Sequence, residues 1–275
     1  MTTGMRMKRW QGMSRGWVLV LTVLSLPSLA ETPFAGTWQV DPERTEFSSM
    51  LPLKITIERG VFKNDSCASP VEVPADGGDH GVPGNPYFDA MSVRLPDART
   101  AEIEQKGGAT VVWRGRYVAE PDSRSMTLHF EDRRPVHAVT GTIRFERVDE
   151  PDPAAHPLSG SWRASRLIDL SPSGRTLSFA DIDNGLAMSA SDGRSFSNVF
   201  GDRGGGTAPL HGYLDGAAVW VSRRAPHKLQ INRSQDGTLV EFTIGTVSDD
   251  GRQLELGELD LLCQAKTTWL LRKQP

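Results

Sequence analysis

The chain is written twice, and this limits what it can fold into. Phe34-Ala35-Gly36-Thr37-Trp38 returns 124 positions later as Leu158-Ser159-Gly160-Ser161-Trp162. The match then continues in order. Residues 86–93 meet 212–219, residues 106–112 meet 235–240, and Ser125-Met126-Thr127-Leu128 meets Gln253-Leu254-Glu255-Leu256. Phe145-Glu146-Arg147 meets Leu270-Leu271-Arg272 near the end. The offset drifts by only a few residues, as small loop insertions would produce. An internal repeat of this length implies two similar modules, each with its own apolar set. The acids and prolines of residues 149–157 read as a short stiff linker between them. The expected division is residues 31–148, a linker 149–157, and residues 158–275.

Each copy reads as short strands. Ile55 and Ile57 alternate with Lys54, Thr56 and Glu58, and Met126, Leu128 and Phe130 with Thr127, His129 and Glu131. In the second copy, Leu229 and Ile231 alternate with Lys228, Gln230 and Asn232, and Val240, Phe242 and Ile244 with Glu241 and Thr243. A period of two with one polar face is the pattern of antiparallel strands over a core. Turn chemistry separates the runs at Lys106-Gly107-Gly108, Asn184-Gly185, Ser191-Asp192-Gly193, Asp236-Gly237 and Asp250-Gly251. No window shows a clean helical stripe. The fold class is therefore all-β, with about eight antiparallel strands per copy, enough to close a barrel. An open sandwich is the competing all-β arrangement.

Residues 1–30 carry Arg6, Lys8, Arg9 and Arg15, no acid, and an apolar run from Trp17 to Leu26, ending at Ser28-Leu29-Ala30. This reads as a secretory signal cleaved after Ala30. The apolar run is about half the length needed to span a bilayer. The expected localisation is periplasmic or secreted. Past Ala30, 27 basic residues face 34 acidic ones, a balance that argues against nucleic acid and anionic membrane surfaces as partners. No later stretch has the length or apolarity of a membrane span. Cys67 and Cys263 fall in different copies. Either they form a bridge that ties the copies together, or they are two separate buried thiols.

The Gly-x-Trp phrase on a first strand, with an Arg on the last, resembles the lipocalin or calycin pattern. That resemblance implies an eight-stranded barrel closed at one end by the Trp, with a last-strand Arg packed over its ring. It pairs Trp38 with Arg147 and Trp162 with Arg272. The plainer alternative makes each Trp an ordinary core residue and each Arg a solvated strand end. More narrowly, the chain resembles a family of uncharacterised secreted bacterial proteins with F-x-G-T-W-x-x-D-P and A-D-G-x-x-H…P-Y-x-D motifs. Here these are residues 34–42, 75–80 and 86–89. Those relatives carry C-x-x-C before the A-D-G, but Asn64 stands at the first of those positions. The second copy lacks the D-P and has no counterpart of His80. No activity follows from the resemblance.

Tyr87/Asp89 and Tyr213/Asp215 recur at matching places. If each pair shares a strand face directed inward, a phenol and a carboxylate project together as ligand-binding groups. If not, the Tyr covers the barrel mouth and the Asp caps a turn. Asp76, Asp79 and His80 lack the several spaced oxygens of a calcium loop, and Asp181-Ile182-Asp183-Asn184-Gly185 reads as a hairpin. Gly204-Gly205-Gly206 has no following Lys-Ser/Thr, and no G-x-S-x-G elbow occurs. No cofactor, metal ligand set or catalytic residue is expected. The inward set Ile55, Ile57, Val93, Met126, Leu128 and Phe130 suits a small hydrophobic ligand. An envelope structural or protein-interaction role is the alternative, and a periplasmic enzyme has the least support.

Overall fold

The computed structural model describes Met1 and residues 32–275, apart from 69 and 202–205. The signal reading therefore lies outside the described residues. The first copy contributes β1 (Gly36–Val40), β2 (Glu46–Phe47), β3 (Leu53–Glu58), β4 (Val61–Asn64), β5 (Val71–Pro74), β6 (His80–Gly81), β7 (Ala90–Asp97), β8 (Thr100–Gly107), β9 (Thr110–Ala119), β10 (Ser125–Asp132) and β11 (Val139–Arg147). The second contributes β12 (Gly160–Leu170), β13 (Thr176–Ile182), β14 (Gly185–Ala190), β15 (Ser195–Val199), β16 (Ala208–Pro209), β17 (Ala217–Ala225), β18 (Lys228–Gln235), β19 (Thr238–Val247), β20 (Gln253–Asp260) and β21 (Ala265–Lys273). Single 3-10 turns at Pro42–Arg44 and Pro172–Gly174 occupy matching places.

All pairings are antiparallel, and they build two nearly closed barrels. One runs β5-β4-β3-β12-β11-β10-β9-β8-β7-β6; the other runs β15-β14-β13-β1-β21-β20-β19-β18-β17-β16, with β2 also on β21. The expected eight strands per barrel become ten and eleven, because short edge pieces such as β6, β16 and β2 pair as well. Isolated bridges Asp76–Arg94 and Ser195–His211 draw the edges together. In the second barrel the buried Asn198 bridges the seam. It donates to the Gly206 carbonyl at 2.7 Å and accepts from the Val221 amide at 3.0 Å, so its side chain stands in for a ladder rung.

The two orders are the same except that the first strand of each copy has crossed over. β12 sits between β3 and β11, and β1 sits between β13 and β21. Residues 149–157 thus end the repeat in sequence, while the hydrogen-bonded sheets cross that line. The cores follow the exchange. Leu158 and Trp162 pack with Ile55, Ile57, Val93, Met126 and Leu128, while Phe34 and Trp38 pack with Leu229, Leu254 and Leu271.

This geometry explains the doubled phrase. Trp38 donates its indole N–H to the Phe34 carbonyl at 2.7 Å, and Trp162 does so to the Leu158 carbonyl at 2.9 Å. Both rings are fully buried, where an unpaired indole N–H would be costly. The chain reaches back four residues because Gly36 and Gly160 adopt φ of +123° and +148°, values that side chains rarely allow. A Cβ on Gly160 would also lie 1.9 Å from Arg147 Nη1, and one on Gly36 would lie 2.6 Å from Lys273 Cε.

The expected lids are corrected in partner and in position. Arg147 stacks on Trp162, 4.2 Å from the ring centre, and not on Trp38. Over Trp38 lies Lys273, with Nζ 5.4 Å from the centre. The register explains the shift. Trp162 opposes Arg147 and Trp38 opposes Lys273, so Lys273 is the counterpart of Arg147. Arg272, one residue earlier, faces outward and pairs with Asp41 at 3.0 Å, as strand alternation requires.

Candidate functional site

The first barrel holds a partly open cavity of about 350 Å³. It is walled by Ile55, Phe62, Met91, Ile103, Tyr117 and Phe145, with Trp113 and Trp162 on its lining. Two glycines keep the large rings against the wall. A Cβ on Gly115 would stand 2.1 Å from the Trp113 ring, and one on Gly141 would stand 2.7 Å from the Phe130 ring. A glycine in a strand commonly marks such a close approach. Ser49, Leu51 and residues 265–267 also line the cavity, so the second copy's last hairpin contributes to its wall. Cys67 and Cys263, which the sequence left open, are disulfide-bonded and line the cavity as well. A smaller cavity of about 280 Å³ shares Asn64, Met91, Gln105 and Trp113 with it and reaches Tyr87 and Arg134.

The second barrel fills the corresponding space with charge. By strand register, Gln105 opposite Trp113 corresponds to Arg233 opposite Glu241, and Phe130 corresponds to Glu258. Arg233 and Glu241 form a close, largely buried ion pair, and Thr243 donates to Glu241 at 3.2 Å. Trp269 donates its indole N–H to Glu258 at 3.2 Å. Burial works against the Glu241 carboxylate, yet the Arg233 charge and hydrogen bond hold it below the usual carboxylate range. Glu258 has no such partner: burial, then the charge of Glu241, pushes its pKa up to about 7.

The two repeated tyrosines meet at this ion pair. Arg233 Nη1 donates to the hydroxyls of Tyr87 and Tyr213, each at 3.2 Å. Arg134 stacks on Tyr87, 4.9 Å from its centre. Arg134 is held by both oxygens of Asp132 at 2.8 Å, and Arg194 by Asp192 at 2.7 Å. Burial raises the Tyr87 pKa, so the phenol stays neutral. Three guanidiniums facing three carboxylates leave little net charge, and the cluster is built as a latch between the copies.

The paired aspartates are not part of it, which corrects the shared-face expectation. Residues 85–89 precede β7 and are not strand, so the alternation that would set phenol and carboxylate side by side does not apply. The Asp89 carboxylate accepts the Gly108 amide at 3.1 Å and caps a turn. Asp215 is exposed, and its backbone carbonyl accepts from Gln235. In the A-D-G loop, His80 bonds Asp76 at 2.9 Å and Lys106 pairs with Asp79 at 2.7 Å. Among the described residues no group of three or more His, Cys, Asp or Glu side chains is placed to hold a metal ion, and no helix is long and apolar enough to cross a membrane.

Sequence reasoning missed Arg134, Arg194, Arg233, Glu241, Gln105 and Tyr117. The alternation on β19 was misleading. Val240, Phe242 and Ile244 read as the inward face, and Val240 is buried beside a register shift, but Glu241 and Thr243 oppose the inward Arg233 and Ile231 and so face the lumen in place of Phe242 and Ile244. The D-x-R spacing at Asp132/Arg134 and Asp192/Arg194 was a readable signal for the flanking ion pairs. No protein-family model matches the chain, and no curated protein or solved structure does.

Proposed function

We propose that the protein binds a small apolar ligand inside the first barrel. The cavity of about 350 Å³ carries this reading. Barrels of this size either pack solid or hold one small molecule, and ligand sites begin at roughly 300 Å³. The contrast between the copies adds support, since one lumen is plugged by an ion pair and the other is open and aromatic. With the lipocalin-like arrangement of lid and barrel, and the secretory reading of residues 1–30, the proposed setting is the periplasm or the medium. N-terminal sequencing of exported protein, starting at Glu31, checks that setting. Binding itself is tested with a fluorescent apolar probe such as N-phenyl-1-naphthylamine. The expected result is one site per chain, with quenching of tryptophan emission. Ala164→Phe, which fills the lining beside Phe145, should abolish binding while the protein stays folded. Unchanged binding in that variant overturns the reading.

A second reading, as a protein-interaction or envelope structural module, rests on the outer face of the second barrel. Trp220, Asn232, Phe242 and Leu259 oppose one another across four strands, and the three apolar members are half-buried. Trp220→Ser with Phe242→Ser should disrupt a partner complex and leave probe binding intact.

A further inference from the structure

We propose that the first-barrel site takes a neutral, ring-containing molecule bearing a carbonyl or hydroxyl oxygen, held by the Tyr117 hydroxyl, with the Gln105 amide further along the same wall. This rests on the ligand-binding reading above and names its ligand class.

Tyr117 is 9% exposed and lines the cavity, yet its hydroxyl makes no hydrogen bond among the described residues. The hydroxyl opens onto the cavity space, where a ligand oxygen can reach it. Gln105, two strand positions beyond Ile103, also lines the cavity, and its amide has no partner among the described residues. Two other polar atoms on the lining are already used. Asn64 Oδ1 accepts the Ser66 amide, and Ser66 Oγ accepts the Lys54 amide. The second copy shows the same wall position satisfied internally, where Arg233 stands at the place of Gln105 and is paired with Glu241. The first copy therefore keeps a free donor–acceptor and a free amide on a wall of Trp113, Phe145 and Trp162. Flat aromatic walls favour a ring. Lys266 is the single ionisable Lys, Arg, Asp or Glu on the lining and is exposed, which leaves no countercharge for an ion held at depth.

The test compares two probes of matched shape, 2-acetylnaphthalene and 2-ethylnaphthalene, by tryptophan quenching on the full chain. The ketone should bind roughly tenfold tighter than the hydrocarbon, the equivalent of one net hydrogen bond. Tyr117→Phe should erase that difference and leave the hydrocarbon affinity unchanged. If the unaltered protein binds the two probes equally, or if Tyr117→Phe leaves the ketone preference intact, the inference falls. If neither probe binds and the apolar probe also fails, the ligand-binding reading falls, and this inference with it.

Discussion

The Arg147 guanidinium lies 4.2 Å from the centre of the Trp162 ring, and that Trp belongs to the other copy of the repeat. Arg147 also donates to the backbone carbonyls of Ser123, Pro157 and Ser159, and its side chain is 4% exposed. Its counterpart Lys273 only covers Trp38 from an exposed position. The two lids match in place and differ in energy.

Arg147→Met should therefore destabilise by about 2–4 kcal/mol, since it strands three carbonyls in a buried site. Lys273→Met should cost under about 1 kcal/mol, the worth of an exposed cation over a ring. Urea unfolding of both variants checks this, and equal losses would show that the carbonyl contacts contribute nothing.

The strand exchange makes each barrel depend on the other copy. Residues 32–157 lack β12, which supplies the wall between β3 and β11 and brings Trp162; residues 158–275 lack β1 and Trp38. Neither half expressed alone should give a folded monomer, while mixing the two should restore the native spectrum. Dispersed NMR spectra from an isolated monomeric half would contradict this.

The Cys67–Cys263 bridge spans 196 positions. Cross-linking so long a loop removes roughly 5 kcal/mol of freedom from the unfolded chain. Cys67→Ser with Cys263→Ser should lower the guanidinium midpoint by a matching amount, and a reductant should reproduce the shift in the unaltered protein. The cysteines also line the cavity, so apolar-probe binding read on the double variant reports whether the bridge shapes the site.

Much of this architecture was legible. The alternation of Ile55, Ile57, Met126 and Leu128 marked true inward faces, and Asp236-Gly237 forms the tight turn it suggested, with φ of 49° and 78°. The repeated phrase marked the two Trp plugs. The exchange of β1 and β12 was not readable, because two copies of one phrase fit either slot equally well and local sequence carries no address. The site was harder still. Glu241 sits where the pattern reads solvent, and Arg233, in phase with Leu229 and Ile231, reads as a charge at a strand end, because a buried ion pair and an exposed one look alike in sequence. Tyr117 reads as core, and its unpaired hydroxyl is a property of what surrounds it.

Glu258 gives the second barrel a pH signature. Its pKa rises to about 7, from burial first and then the Glu241 charge, against about 4.3 in an unfolded chain. Between those values the folded protein holds a proton that the unfolded chain has released, so stability falls as pH rises through the window, by at most about 4 kcal/mol. Glu241, held low, acts the other way, and its contribution fades only as pH drops into the carboxylate range. His156, whose pKa burial lowers, adds an opposite slope near the ordinary histidine range. The readable quantity is therefore the difference between Glu258→Gln and the unaltered protein. The amide keeps the neutral shape and still accepts from Trp269. Relative to the unaltered protein, the variant should gain stability from about pH 5 to about pH 7.5, measured by urea unfolding at each. Parallel profiles for the two proteins would mean that Glu258 titrates alike in the folded and unfolded states, and the ionic plug would then have to be redrawn with Glu258 charged throughout.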